Sequence, residues 1–382
     1  MYDINEEFKN NNKVNLIRFN QDFTLFSMGT DRGYKIYETY PMSEFHEKIL
    51  FGGISLCEMS YNSNYLALVG GGTIPKFTNK KVVLYNDAED RIESEFKFTT
   101  PVLNVKLKKN LLFVICEKKI YVFNVENSQN IDSFDTIINK GGIIAINGSP
   151  DKTIMAHPIE FNDQPDKGYV GIKNYKTNKY FPLLVHEEPI SNMCIDYYGL
   201  MLATSNDKGT LIRIHSCADQ TLLYECKRGK DKVNINYISF DMEYKYIGTS
   251  SDKGTLHIWK LNDIVEKGYS KKDAKINERE EVIVTKNIEN DFVSIETNYK
   301  NNINDINNNE IYIEIYKLKK IKYPKIESSF ARIKINKPDC IFCFLPGDLV
   351  LIITSEAKFC FAKIEKKGGY CIFTEEKEIK KK

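Results

Sequence analysis

The sequence predicts an all-β protein, a seven-bladed β-propeller of WD40-like repeats that occupies residues 1–382 as one domain. Short apolar segments separated by turn residues recur about seven times, as strands do in a repeat architecture. Aromatic residues that favour strands are abundant, with 23 Tyr and 22 Phe. The chain of 382 residues also exceeds the roughly 150 residues of a typical single core, and a closed ring of repeats accommodates that length.

The strand patterns follow one another in units. The first unit has three strand patterns, at residues 15–20, 24–28 and 33–37. We expect the later units over residues 55–85, 102–123, 143–175 and 190–224, from Tyr237 onwards, and over residues 330–373. The mean of about 55 residues per unit exceeds the usual propeller repeat of roughly 40–45, so the chain contains surplus sequence.

Most of the surplus lies in residues 262–323, an insertion rich in Asn, Lys and Glu whose composition buries little core. Two of its stretches carry apolar residues beside lysines, an arrangement that suits a lipid interface with lysines at the headgroups. The candidate membrane-inserting residues are Phe292, Val293, Ile311, Tyr312 and Ile315. The alternatives are low-complexity filler and, for residues 311–320, a strand that completes the sixth unit.

Composition excludes several classes of function. A formal net charge of +2 and the lack of a basic-aromatic stripe argue against a nucleic-acid partner. No catalytic triad, P-loop or metal-spaced His/Cys cluster appears, so we expect neither an enzyme nor a cofactor. The nine scattered cysteines predict reduced, packed thiols, including the Cys340–Cys343 pair. The polar N-terminus is unlike a signal peptide, and no apolar run spans a bilayer, so any membrane contact is expected to be peripheral.

The most informative motif is a basic pair, Lys227-Arg228, followed by Gly229 and placed between two near-copies of one strand-forming phrase. Adjacent side chains on a strand point to opposite faces, so Lys227 and Arg228 should face different neighbouring units. The sequence therefore predicts two anion pockets, one on each face. The first would use His186, Thr204, Asn206, Thr210 and Lys227. The second would use Arg228, Gly229, Ser251, Thr255 and His257.

These residue types suit a phosphorylated inositol headgroup, which needs a cation and neutral donors that fix its orientation. An arginine grips a phosphate with two parallel hydrogen bonds, whereas a lysine acts as a point charge. Each element alone has a simpler interpretation. Gly209 and Gly254 are expected to be turn glycines, and Lys227-Arg228-Gly229 alone would be a solvated turn. It is the matched combination on both sides of the pair that favours binding.

The stretch from Ala203 to Leu261 resembles the lipid-binding core of the PROPPIN family, also called WIPI proteins. The family signature F-R-R-G corresponds here to residues 226–229, which read C-K-R-G, and the following phrase S-S-D-K-G-T-L-H-I-W occupies residues 250–259. The resemblance implies a seven-bladed propeller that binds phosphatidylinositol 3-phosphate or the 3,5-bisphosphate through the two pockets, with Arg213 in support of the first pocket. It also implies that residues 262–323 are the membrane-inserting loop of blade six.

The resemblance further implies a cytoplasmic protein, bound peripherally to autophagosomal, endosomal or vacuolar membranes. Its other blades would recruit lipid-transfer or conjugation proteins of autophagy. Lys227 stands where the family has arginine, and Asn206 where relatives often have serine, so we expect the first pocket to be the weaker one. The alternative is an interaction scaffold without specific lipid binding. The sequence leaves open the choice between the two lipids and the way the ring closes.

Overall fold

Strands account for all the regular structure in the computed structural model, which describes residues 13–261, 265–273, 310–318, 324–335, 337–371 and 377–379. Within these ranges, seven sheets of four or five strands form a β-propeller, and one further sheet has two strands. The predicted fold class is therefore confirmed. The same ranges contain no helix of the length and apolarity that a membrane crossing requires.

The first four blades each contain four antiparallel strands in chain order. Blade one is β1 (Val14–Phe19), β2 (Leu25–Thr30), β3 (Gly33–Glu38) and β4 (Ser43–Ile49). Blade two is β5 (Ile54–Met59), β6 (Tyr65–Gly70), β7 (Lys81–Asn86) and β8 (Arg91–Lys97). Blade three is β9 (Asn104–Lys108), β10 (Leu111–Ile115), β11 (Lys119–Asn124) and β12 (Asn130–Asp135). Blade four is β13 (Ala145–Ile146), β14 (Ile154–Ile159), β15 (Gly168–Asn174) and β16 (Lys179–His186).

Blades five and six include strands from later parts of the chain. Blade five begins with β17 (Ile190–Ile195), β18 (Met201–Asn206), β19 (Leu211–Ser216) and β20 (Leu222–Lys227). Blade six begins with β21 (Ile235–Phe240), β22 (Tyr246–Ser251) and β23 (Thr255–Lys260). The chain continues through β24 (Val265–Asp273), β25 (Glu310–Leu318), β26 (Lys325–Ser328) and β27 (Ala331–Lys334). Blade seven contains β28 (Cys340–Leu345), β29 (Leu349–Thr354), β30 (Lys358–Lys363) and β32 (Lys377–Glu378), and β31 (Gly369–Tyr370) precedes β32.

The second strand of each blade is buried on both faces because a neighbouring blade covers each face. In β10, the side chains from Leu112 to Ile115 are all buried, although successive side chains point in opposite directions. The outer strands alternate instead. In β12, half-buried side chains alternate with exposed ones over residues 131–135, because this outer strand meets solvent.

The ring closes through side-chain packing between blades seven and one. Ile17 and Phe26 of blade one share a buried cluster with Leu351 and Ile353 of blade seven. In the part of the chain that the structure describes, blade seven takes all its strands from residues 340–378, and β1 stays in blade one. The first and last blades therefore close separately, which answers the question that the sequence left open.

The expected first residue of the last unit is wrong. We expected it from Phe330, but β27 (Ala331–Lys334) pairs with β23 as the fourth strand of blade six, and blade seven begins at Cys340. The alternative that residues 311–320 complete the sixth unit is also wrong. Strand β25 pairs with β24 in a separate two-stranded sheet, so β27 takes the fourth position of blade six, and β31 pairs in parallel with β27 at the edge of that sheet.

Candidate functional site

The basic pair lies at the end of β20. Lys227 is exposed, whereas Arg228 is only 8% exposed. The Arg228 backbone N–H donates to the carbonyl oxygen of Thr210 at 3.0 Å. Its side chain donates from Nε to the Gly209 carbonyl at 2.7 Å and from a terminal nitrogen to the Asp231 carbonyl. The Arg228 guanidinium is therefore held in a fixed position, and burial lowers its pKa.

The two members of the pair serve different faces of blade five. Cys226 packs in the core between blades five and six, so Lys227 points the other way, toward blade four. Arg228 lies on the blade-six side, where its charge acts on Asp252 and on His257.

The first candidate pocket lies between blades four and five, and its deepest part is neutral. His186 Nε2 and Thr204 Oγ1 form a hydrogen bond of 3.0 Å, and both residues are buried. Arg213 Nε is 2.9 Å from Glu225 Oε1, and its Nη1 donates to the Val185 carbonyl at 2.8 Å. The Arg213 charge is therefore balanced inside the protein.

A second carboxylate, Glu188, also binds polar groups of this pocket. Asn206 Nδ2 donates to Glu188 Oε2 at 2.6 Å, and the same carboxylate binds the Lys208 ammonium. Among the described residues, Lys227 makes no ion pair or side-chain hydrogen bond and is the cation that remains for a ligand. Thr210, assigned to this pocket from the sequence, contacts Arg228 through its backbone.

Sequence reasoning missed two residues of the first pocket. They are the carboxylates Glu188 and Glu225. Glu225 precedes Lys227 by two positions on β20, so strand alternation was the signal for it, whereas Glu188 lies beyond the end of β16 at His186 and had no such signal. Burial lowers the pKa of His186 and of His215 to about 4, so both rings are neutral near pH 7.

The second candidate pocket lies between blades five and six and contains polar atoms without partners. Ser251 is 1% exposed and His257 is 6% exposed. Within the described part of the protein, neither Ser251 Oγ nor His257 Nδ1 has a hydrogen-bond partner. Thr255, half-buried, pairs across the sheet with Ser251. Buried polar atoms are rarely left unpaired, so this pocket suits a polar ligand.

Charge acts on the second pocket from two strands. Burial, followed by the nearby guanidinium groups of Arg332 and Arg228, lowers the pKa of His257 to about 4. The carboxylates of Asp231 and Asp252 raise the pKa of Arg228, which opposes the effect of burial on that residue. The imidazole is therefore a neutral group between cationic neighbours, and a bound anion would favour its protonation.

The glycines of the site differ in their roles. Gly209 and Gly254 have φ angles of 61° and 65°, which confirms that both are turn glycines. A Cβ on Gly209 would also lie 2.2 Å from the Val233 carbonyl oxygen. At Gly229, in contrast, a Cβ would meet nothing within 4 Å among the described atoms, so the space beside the basic pair is open.

The candidate inserting residues fall in two places. Phe292 and Val293 lie outside the described residues. Ile311, Tyr312 and Ile315 belong to β25, whose backbone pairs antiparallel with β24. After this hairpin the chain returns through β26, which pairs in parallel with β20 and sets Ser328 opposite Lys227. The insertion is thus attached to the strand that carries the basic pair.

Cysteine chemistry does not contribute to the site. All nine cysteines are free, and both members of the Cys340–Cys343 pair are buried in β28. Across the described ranges, no group of three or more His, Cys, Asp or Glu side chains is arranged to hold a metal ion.

Comparison with known proteins finds similarity over most of the chain. The model of the PROPPIN family matches residues 13–274, which is more than half of the sequence. SVP1-like protein 2 of Pichia angusta is 30% identical over 247 residues, covering 64% of this chain and 68% of that protein. Autophagy-related protein 18e of Arabidopsis thaliana is 30% identical over 263 residues, covering 67% and 68%. The matched region thus spans about two thirds of each relative.

Solved structures share the fold across nearly the whole chain. Hsv2 of Kluyveromyces lactis superposes with a TM-score of 0.71 at 18% identity, covering 97% of this chain and all of that one. A complex of KlAtg21 with the coiled-coil of AgAtg16 gives a TM-score of 0.68 at 16% identity, covering 96% of this chain and 100% of that one. These identities are low, so the structural likeness concerns the fold.

Proposed function

Because this chain belongs to the PROPPIN family of non-enzymatic lipid-binding propellers, we propose that it binds phosphatidylinositol 3-phosphate, or the 3,5-bisphosphate, through the two pockets beside Lys227 and Arg228. The observation that carries the proposal is the second pocket. There a buried arginine is fixed by backbone carbonyls beside Ser251 Oγ and His257 Nδ1, two buried polar atoms without partners among the described residues.

The second pocket supplies what a phosphorylated inositol requires. The Arg228 guanidinium keeps donors that its bonds to Gly209 and Asp231 do not use, and it can share them with phosphate oxygens. The Ser251 hydroxyl and the His257 ring donate to or accept from ring hydroxyls. A bound headgroup would therefore supply hydrogen-bond partners for Ser251 Oγ and His257 Nδ1. Those bonds would offset the free-energy cost of burying the two polar atoms.

The first pocket is the weaker partner in this proposal. Its arginine is already paired with Glu225, and its asparagine amide is bound to Glu188. Lys227 then provides the accessible positive charge, without the two parallel bonds that an arginine forms. The expected ranking of the pockets thus has a second physical reason besides the replacement of arginine by lysine.

The two pockets would act together on a membrane. They flank the consecutive residues Lys227 and Arg228 at one end of β20, so a single membrane can engage both, and each contact raises the effective concentration for the other. The β24–β25 hairpin would add a third contact through residues near Ile311 and Ile315, since β26 connects it to β20. Binding to vesicles is then much tighter than binding to a single headgroup.

The proposed setting is autophagy or related vesicle traffic. The curated relatives include autophagy-related protein 18 of Yarrowia lipolytica, 28% identical over 266 residues. A structural neighbour was solved in complex with a coiled-coil. We place this chain in the cytoplasm, held peripherally on membranes that contain the lipid, with conjugation or lipid-transfer proteins recruited by other blades.

Single substitutions in the basic pair test the two-pocket proposal. Arg228→Gln is expected to weaken binding to vesicles containing phosphatidylinositol 3-phosphate by about tenfold or more, because it removes charge-assisted hydrogen bonds. Lys227→Gln is expected to cost less. The measurement is co-sedimentation over a range of lipid concentrations.

Two controls keep this test specific. Arg91→Gln removes one charge from the exposed outer strand of blade two and should leave binding unchanged. Arg228→Lys keeps the charge and reports the share that depends on guanidinium geometry. A larger loss in Lys227→Gln than in Arg228→Gln contradicts the ranking, and unchanged binding in both variants contradicts the proposal.

A further inference from the structure

Strand β27 places a second basic pair beside the second pocket. In the antiparallel pairing of β23 with β27, Arg332 lies opposite His257, and Lys334 lies opposite Thr255. Directly opposite residues in such a pair have Cβ atoms roughly 4.5–5.5 Å apart, and their side chains share one face. Both cations therefore stand next to residues already assigned to the pocket.

The face they share is the one that looks toward blade five. The intervening residues Ala331 and Ile333 are buried with Leu256 and Ile258 in the core between blades six and seven. Side chains alternate along a strand, so Arg332 and Lys334 project to the other face, and both are exposed. Arg228 reaches the same space from blade five.

The contacts of Arg332 leave its terminal nitrogen atoms available. Its Nε donates to Ser329 Oγ at 3.0 Å. Among the described residues, no carboxylate lies within 4 Å of its guanidinium. The charge of Arg332 lowers the pKa of His257 more than the charge of Arg228 does. The imidazole therefore has a guanidinium from each of two blades as a neighbour.

The residues of β27 change the balance of charge around Arg228. Two carboxylates, Asp231 and Asp252, act on Arg228 and oppose an anion there. His257 is neutral near pH 7, because its pKa is about 4. Arg332 and Lys334 add two positive charges opposite His257 and Thr255, and these offset the two carboxylates and favour an anion.

On the basis of the proposed function, we propose that Arg332, supported by Lys334, is a specificity residue of the second pocket that selects a headgroup with two phosphates. Arg228 would engage one phosphate and Arg332 the other, on the two sides of His257. Two phosphates separated by one hydroxyl-bearing ring carbon, as in the 3,5-bisphosphate, fit this arrangement. A headgroup with a single phosphate would use Arg228 and leave Arg332 solvated.

The test compares lipids and variants on the full chain. Vesicles contain phosphatidylinositol 3-phosphate, the 3,5-bisphosphate, or the 4,5-bisphosphate as a control of equal charge. Wild type is expected to prefer the 3,5-bisphosphate. Arg332→Gln should weaken binding to that lipid by about tenfold and binding to the 3-phosphate by less than about threefold. Lys334→Gln should give a smaller loss of the same kind.

Arg91→Gln is the matched control for removal of one exposed arginine charge from an outer strand. Calorimetric titration with soluble inositol 1,3,5-trisphosphate separates recognition of the headgroup from attraction to a charged surface, and Arg332→Gln should weaken it as well. Thermal unfolding of each variant verifies that the propeller is intact.

The outcomes separate the inference from the proposed function. Equal losses on both lipids, or no loss on either while Arg228→Gln still abolishes binding, overturn the role of Arg332 and leave the second pocket in place. A wild-type chain that binds none of the three vesicles overturns the proposed function, and the role of Arg332 with it.

Discussion

Replacing Trp259 by alanine is expected to lower the free energy of unfolding by about 3–5 kcal/mol. Trp259 is wholly buried in the core between blades five and six, together with Tyr224 and Ile247. Truncation removes a large apolar surface from a densely packed interface and leaves a cavity that its neighbours fill only in part. The effect is measured by urea unfolding at pH 7.5.

The same substitution is expected to weaken the second pocket. The Trp259 indole stacks on the His257 ring, with centroids 6.0 Å apart and planes inclined by 22°. Trp259→Phe is the matched control, because it keeps an aromatic surface behind His257 and should cost clearly less stability. A loss below about 1 kcal/mol for the alanine variant contradicts this account of the interface.

A second large effect is a loss of stability in mild acid. Burial lowers the pKa of four imidazoles to about 4, those of His157, His186, His215 and His257. In the unfolded chain each titrates near 6.5 and binds its proton more readily, so protons favour unfolding. The loss begins near pH 6.5 and continues to about pH 4, with roughly 3 kcal/mol at stake per histidine.

The free energy of unfolding is therefore expected to fall by several kcal/mol between pH 7 and pH 5. Asp196 and Asp241 oppose this trend, since burial raises the pKa of both carboxyls. Denaturant unfolding at a series of pH values gives the slope. His157→Gln removes one buried imidazole that contacts Phe134 of blade three and is assigned to neither pocket, so the variant should lose less stability than wild type over this interval. Identical slopes contradict the argument.

The fold followed from local sequence because strand patterns are local. The three strands predicted for the first unit correspond to β1, β2 and β3, and the turn roles of Gly209 and Gly254 followed from their motifs. The start of the last unit was predicted wrongly. Residues 331–334 form a good strand in either blade, and the distant pairing with β23 decides that they complete blade six.

The candidate site was predictable as far as its residues share strands. Alternation separated Lys227 from Arg228 and gathered Ser251, Thr255 and His257 on the Arg228 side. What was missed depends on pairing between distant segments. Arg332 reaches His257 from 75 positions later in the chain (332 − 257 = 75), and no local motif marks it. Glu188 was visible in the sequence, but its bond to Asn206 depends on the packing of blade four against blade five.

The two pockets now differ in a physical sense. In the first, carboxylates satisfy the arginine and the asparagine, and an exposed lysine remains. In the second, a fixed arginine faces buried atoms that have no partner among the described residues. Under the proposed function, membrane binding is expected to depend chiefly on the second pocket, with added avidity from the first pocket and the β24–β25 hairpin.

The most direct test of this account is co-sedimentation with vesicles of equal charge that differ in one phosphate position. Wild type and the Lys227→Thr, Arg228→Thr double variant are compared on phosphatidylinositol 3-phosphate, its 4-phosphate isomer and the 3,5-bisphosphate, with the lipid charge matched. We predict that wild type binds the vesicles carrying a 3-phosphate and that the double variant binds none. Equal binding of wild type to all three vesicles, or to none, would contradict the account and leave an interaction scaffold.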